Sequence, residues 1–129
     1  MKRFHLIFGL LLVIAFLLTG QYMDRFLQHL QSMPDGPRML YRSRHIYILL
    51  SGLINLGIGA YFRYRLTQLR RILQLLGSLL ITAASVLSVF AFFREPGLTG
   101  LQTPLTHKGI YLIAAGVVLH VLSAIGERD

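Results

Sequence analysis

The chain contains neither cysteine nor tryptophan. Without cysteine it cannot form disulfides, thiolate metal sites, the thioether links of c-type haem or a lipoprotein anchor. Tryptophan usually anchors membrane proteins among lipid headgroups, and tyrosine is the other residue enriched there. Most of the 6 tyrosines lie near the ends of apolar segments and could take that role.

Charged residues are also scarce, at 14% of the chain against 54% hydrophobic residues. Soluble domains carry about 25% charged residues. The acidic residues all lie outside the apolar segments, and they are Asp24, Asp35, Glu95, Glu127 and Asp129. A proton or sodium pathway built on carboxylates therefore has no candidate residue. The motifs of serine hydrolases, P-loop enzymes and zinc proteases are also missing, so whether the chain is an enzyme stays open, with a non-enzymatic role favoured.

Four apolar segments cover residues 4–22, 45–62, 72–93 and 109–126. A helix needs about 20 mostly apolar residues to cross the hydrocarbon of a bilayer. We therefore predict a single all-α domain over residues 1–129, an integral membrane bundle of four transmembrane helices. The first segment follows Met1-Lys2-Arg3 like a secretory signal peptide, but no pair of small residues marks a cleavage site, so we expect an uncleaved helix.

The basic residues sit mostly at the ends of these segments, where they contact headgroups and set orientation. With a cytoplasmic N-terminus, the inner side holds Lys2, Arg3, Arg63, Arg65, Arg70, Arg71 and Arg128, and the outer side holds Arg25, Arg38, Arg42, Arg44, Arg94 and Lys108. This small inner excess predicts that both termini are cytoplasmic, in a bacterial-type inner (plasma) membrane. No basic patch lies elsewhere, so nucleic acid is not an expected partner.

The connection between the first two segments has a pattern of its own. Apolar residues recur at helical spacing through residues 23–33 and predict an amphipathic helix that lies on the outer interface or prolongs the first helix. The sequence Pro34-Asp35-Gly36-Pro37 then ends it, and the second helix is expected to begin near Arg38. The later sequence Glu95-Pro96-Gly97 predicts a turn.

Small and weakly polar residues form one face in each of the last three segments, as is usual where membrane helices touch. These faces hold Ser51, Asn55 and Gly59, then Ser78, Thr82, Ser85 and Ser88, then Gly109, Gly116, His120 and Ser123. We predict a polar interior of Asn55, Ser78, Thr82 and His120, with the first helix at the periphery. His120 is either a neutral residue hydrogen-bonded to Asn55 or Ser78, or part of a ligand site or proton relay.

A second candidate site lies at the outer start of the second helix. Arg38, Arg42 and His45 follow one another at spacings of four and three residues, and Tyr41 lies beside them. The simpler hypothesis is a solvated face in contact with lipid headgroups. The alternative is an anion pocket, because the guanidinium group is shaped to bind phosphate or carboxylate.

The histidines allow two further hypotheses. His107 and His120 lie thirteen residues apart, about 20 Å along a helix, so haem b could be held by His45 with His107 and by His5 with His120. Copper is the other hypothesis, with His29 and His45 joined by the nearby methionines Met23, Met33 and Met39.

Together these features predict a small multispanning inner-membrane protein. The leading hypothesis is a non-enzymatic accessory subunit, or a module that binds lipid or a membrane partner through Arg38, Arg42 and His45. The alternative is a redox protein that carries haem b or contacts quinone through His45, His107 and His120.

Overall fold

A computed structural model describes residues 1–125. Four α-helices make up most of it: α1 (Lys2–Arg25), α2 (Asp35–Tyr61), α3 (Gln68–Arg94) and α4 (Pro104–Ala124). Short 3-10 turns follow α1 and α3, and residues 1–125 contain no strand. The predicted all-α fold is confirmed. The predicted end of the fourth segment at Gly126, and Arg128 of the charge count, lie outside the described residues.

The helices alternate in direction, and each packs along the next one in the chain. We call the end of the bundle at which α1 and α3 begin and α2 and α4 end the terminal end. At the opposite end lie the connections from α1 to α2 and from α3 to α4. Each end therefore brings together parts of the chain that are far apart in sequence.

Helix α1 packs closely along α2 and has few contacts with α3 and α4, so its position agrees with the predicted periphery although its contact with α2 is tight. A Cβ atom added to Gly9 would lie 2.8 Å from the backbone nitrogen of Leu56 and 2.9 Å from the carbonyl oxygen of Gly52. The backbones can approach this far only because Gly9 has no side chain. Helices α3 and α4 also approach closely at glycines, since a Cβ on Gly116 would lie 2.9 Å from the carbonyl oxygen of Gly77.

Within residues 1–125, three helical segments are long and apolar enough to cross a membrane: Lys2–Arg25, Gln68–Gly97 and Thr99–Ala124. Large apolar side chains such as Leu18, Leu79 and Val118 are exposed on them, as membrane helices require. Helix α2 is not among the three. Its first half carries Arg38, Arg42 and Arg44, and its buried face carries polar side chains, which together lower its mean hydropathy.

The connection after α1 departs from the sequence prediction. Helix α1 ends at Arg25, and Gln28, His29 and Leu30 have φ values of 48°, 56° and 62°. A right-handed helix needs negative φ, so no amphipathic helix runs through residues 23–33. Helix α2 begins at Asp35, earlier than the predicted Arg38, and Pro37 lies in its first turn.

Candidate functional site

A chain of buried polar side chains crosses the terminal end of the bundle. His5 is 0% exposed, with Nδ1 2.8 Å from Asn55 Oδ1 and Nε2 2.9 Å from Ser78 Oγ. The same serine oxygen lies 3.1 Å from Nε2 of His120. One hydroxyl group thus stands between two imidazole rings. We call His5, Asn55, Ser78, Ser85 and His120 the histidine cluster.

The orientation of Asn55 fixes the direction of the first hydrogen bond. Its Nδ2 donates to the carbonyl oxygen of Ser51 at 2.9 Å and to Oγ of Ser85 at 3.0 Å. A carbonyl oxygen can only accept, so the amide nitrogen must face Ser51 and the amide oxygen must face His5. His5 therefore donates from Nδ1, and Nε2 of the neutral ring accepts the hydroxyl proton of Ser78.

The predicted polar interior is assembled only in part by these contacts. Asn55, Ser78 and His120 belong to one hydrogen-bonded chain, and His120 bonds Ser78 rather than Asn55. The hydroxyl of Thr82 instead donates to the carbonyl oxygen of Ser78, in its own helix. His5 is the one cluster residue with a titratable side chain that the small and polar helix faces do not predict. It lies in the first turn of α1, whereas Ser78 lies nearly three turns into α3, so α3 extends past the start of α1 and covers the imidazole.

His120 is the side of the cluster that can be reached from outside. It lines a cavity of about 290 Å³ at the terminal end, together with Tyr61, Arg63, Arg65 and Gln74. The amide nitrogen of Gln74 donates to the carbonyl oxygen of Arg63 at 2.8 Å, which ties the α2–α3 connection to α3 beside this cavity. The His5 ring, by contrast, is enclosed on all sides.

An ion pair is buried at the opposite end of the bundle. Nε of Arg44 donates to Oε2 of Glu95 at 2.7 Å, and Oε1 of Glu95 accepts the backbone N–H of Thr106 at 2.8 Å. The hydroxyl of Thr106 also donates to Oε2. Arg44 is 5% exposed and Glu95 is 0% exposed. We call these three residues the ion-pair cluster.

The predicted turn at Glu95-Pro96-Gly97 is confirmed, and Glu95 and Pro96 are buried within it. The carboxylate of Glu95 faces the start of α4, where backbone N–H groups have no partner within their own helix. A negative charge is favoured there by the helix dipole as well. The pair therefore joins α2, the end of α3 and the first turn of α4.

The side chains of the predicted site at the start of α2 do not all lie on one surface. Arg38 and Arg42 line a surface cavity of about 370 Å³, together with the apolar side chains of Met39 and Ile46. Arg38 donates to the carboxylate of Asp35 at 2.5 Å. Arg42 is exposed, and no hydrogen bond or ion pair joins it to another residue of the part of the chain that the structure describes. We call Arg38, Met39, Arg42 and Ile46 the arginine surface.

His45 and Tyr41 do not contribute to the arginine surface. Nδ1 of His45 lies 2.9 Å from the hydroxyl oxygen of Thr19, and its ring stacks on Phe16 with centroids 4.0 Å apart. The ring of Tyr41 packs edge-to-face against Phe92 at 5.3 Å. Both side chains therefore join α2 to its neighbours.

The haem and copper hypotheses find little support in this geometry. A haem held by His5 and His120 would need space for a flat macrocycle between the rings, and the hydroxyl of Ser78 occupies that space. His107 is exposed and contacts Thr103, the residue just before its own helix. His29 pairs with Asp24. Within residues 1–125, no group of three or more His, Asp or Glu side chains is placed to hold a metal ion.

No protein-family model matches the chain, and comparisons with curated proteins and with solved structures find no match. The fold and its sites define the class of protein: an all-helical bundle of membrane type with polar groups buried at both ends. Any more specific function has to be argued from the chemistry of its own residues.

Proposed function

We propose that this chain is a small non-enzymatic protein of a bacterial-type inner membrane, and that it binds anionic lipid headgroups at its outer end. In this proposal all four helices span the bilayer and both termini are cytoplasmic. The opposite end of the bundle, with the arginine surface, then faces outward. The exposed guanidinium group of Arg42 on that surface is the observation that carries the proposal.

The packing of α2 along α1 supports a fourth span. A Cβ on Gly59 would lie 2.8 Å from Leu6 near the terminal end, and His45 bonds Thr19 near the opposite end. The two helices therefore run side by side over most of their length. Since α1 is long and apolar enough to cross a membrane, a helix in such contact with it is expected to cross as well.

The arginine surface suits an anionic lipid because it combines charge with exposed apolar area. Met39 is 61% and Ile46 is 59% exposed on the same side of α2 as Arg42. A guanidinium group can bind a phosphate with two parallel hydrogen bonds. The headgroup would bind Arg42, and an acyl chain would lie along Ile46 toward the middle of the bilayer.

The absence of cysteine makes the topology directly testable with single cysteines. We expect Ser32→Cys, in the α1–α2 connection, to react with a membrane-impermeant maleimide in intact spheroplasts. Thr67→Cys, before α3, should react only after the membrane is permeabilised, and Thr99→Cys should behave like Ser32→Cys. Equal labelling of Ser32→Cys and Thr67→Cys from one side would contradict the fourth span, and the reverse pattern would contradict the orientation.

Lipid binding is tested by native mass spectrometry of the full chain, released from mixed micelles of phosphatidylglycerol and phosphatidylcholine. Arg42→Gln should lower phosphatidylglycerol retention several-fold. Lys108→Gln removes the same charge from another exposed position at the same end and should leave retention near that of the wild type. Equal retention in the two variants would contradict a headgroup site at Arg42. Loss of a co-purifying protein with lipid retention unchanged would identify an accessory subunit instead.

A further inference from the structure

The hydrogen bonds of the histidine cluster can run in either of two directions through the hydroxyl of Ser78. Ser78 has a single hydroxyl proton, and an imidazole nitrogen stands on each side of it, at 2.9 Å and 3.1 Å. When the hydroxyl donates to His5, its oxygen can accept an N–H from Nε2 of His120. The direction of these hydrogen bonds therefore depends on which of the two rings carries a proton on the nitrogen that faces Ser78.

We infer that His120, Ser78 and His5 form a proton-binding site that is loaded from the cavity at the terminal end and holds one excess proton. The proton enters at His120, which lines the cavity, and the positive charge can pass to the enclosed His5 through the serine hydroxyl. The chemical class of the ligand is the proton itself.

The transfer balances without an outside reactant. A proton from water in the cavity binds Nδ1 of His120, and the ring then carries protons on both nitrogens. The His120 Nε2–H bond breaks as a new O–H bond forms on Ser78, while the original hydroxyl proton of Ser78 moves to Nε2 of His5. His5 becomes the imidazolium, His120 becomes neutral with its proton on Nδ1, and no heavy atom has to move.

The site ends at His5 and does not continue across the bundle. Nδ1 of His5 keeps its proton because it donates to the amide oxygen of Asn55, and the amide nitrogen of Asn55 is held by Ser51 and Ser85. An amide in this position cannot pass a proton on. The cluster therefore stores a proton that enters and leaves from the same side.

A second proton would break the arrangement. With both rings charged, both Nε2–H groups would point at the oxygen of Ser78, and two positive charges would face each other with ring centroids 6.3 Å apart. Among residues 1–125, the other charged or titratable groups nearby are Arg63, Arg65 and Tyr61 beside the cavity, and the N-terminal amine, which lies 3.3 Å from the hydroxyl of Tyr64. None of these described groups carries a carboxylate that would offset a second charge.

The test is a pH titration of the full chain in lipid nanodiscs, followed by nitrogen-15 NMR of the histidine rings and assigned with His5→Gln and His120→Gln. In the wild type we expect both rings to respond in one step that amounts to one proton. Ser78→Ala should abolish the response of His5 and leave that of His120. Thr82→Val, a matched control that removes a hydroxyl one turn further along the same helix but outside the cluster, should keep both responses.

Several results would overturn the site. One is a His5 that titrates normally in Ser78→Ala, and another is uptake of two independent protons by the wild type. Absence of any response down to the pH at which the helices unfold would also contradict it. If Ser78→Ala does not fold, His120→Gln tests the same site. In that variant His5 should have no route to the cavity, and its nitrogen-15 signals should no longer change with pH.

Discussion

The buried polar groups at the two ends of the bundle are bonded in different ways. In the ion-pair cluster, charges of opposite sign meet, and both oxygens of Glu95 accept from fixed donors on Arg44 and Thr106. In the histidine cluster, no acid is present, and the hydroxyl of Ser78 can donate to either ring. Buried polar groups therefore form a permanent joint at one end and a reversible proton site at the other.

The largest effect is expected from breaking the ion pair. Glu95→Gln leaves the positive charge of Arg44 buried without its counter-charge, and such a loss typically costs about 3–5 kcal/mol of folding free energy. Unfolding in mixed micelles, followed by circular dichroism, measures it. Asp35→Asn is the matched control, because it removes the acid from the exposed Arg38–Asp35 pair and should change stability little. Similar losses in both variants would contradict a joint at the ion-pair cluster.

A smaller effect should follow from separating α1 from α2. Gly9→Ala places a methyl group within 3 Å of the backbone of α2, and overpacking of this kind costs about 1–3 kcal/mol. His5 lies one turn earlier on the same side of α1, so its NMR signals should shift. The loss of unfolding free energy caused by Glu95→Gln should be the same with and without Gly9→Ala. Gly57→Ala is the control, since nothing lies within 4 Å of the added methyl group. Equal stability of the two alanine variants would contradict the close approach.

The smallest effect is expected inside the histidine cluster, where Ser85→Ala removes one acceptor from Asn55. The amide nitrogen of Asn55 keeps its bond to the Ser51 carbonyl oxygen, so the loss should be that of one ordinary hydrogen bond, about 0.5–1.5 kcal/mol. The same unfolding assay measures it. A loss as large as that of Glu95→Gln would mean that the two clusters do not differ in the way described.

The sequence was sufficient to predict the helices because apolar runs of this length have few other solutions. It also placed Asn55, Ser78 and His120 inside, since small and polar residues mark the contacts between membrane helices. The helix ends were less predictable. Helix α3 begins at Gln68, before the apolar run at 72, and it bonds His5 through Ser78, well inside that run. Nothing near His5 in the sequence indicates that a later helix would cover it.

Other parts of the candidate sites depend on contacts that no local pattern contains. Glu95 is buried because the start of α4 and Arg44 both reach its carboxylate, and these groups are separated from it in sequence. Helical spacing predicts that His45 lies beside Arg42, but the His45 ring stacks on Phe16 of α1. The positive φ values at Gln28, His29 and Leu30 are not marked by a glycine, so the end of α1 could not be read from composition.

The most direct test of the central claim is the tautomer of His5 at neutral pH, measured by nitrogen-15 NMR on the full chain in lipid nanodiscs. Because the oxygen of Asn55 faces this ring, the proton should reside on Nδ1, with Nε2 bare and bonded to Ser78. Asn55→Leu should release that preference and leave the ring nitrogens in a mixture of tautomers. A wild-type His5 with its proton on Nε2 would contradict the account, because His5 would then donate a hydrogen bond to Ser78 instead of accepting one.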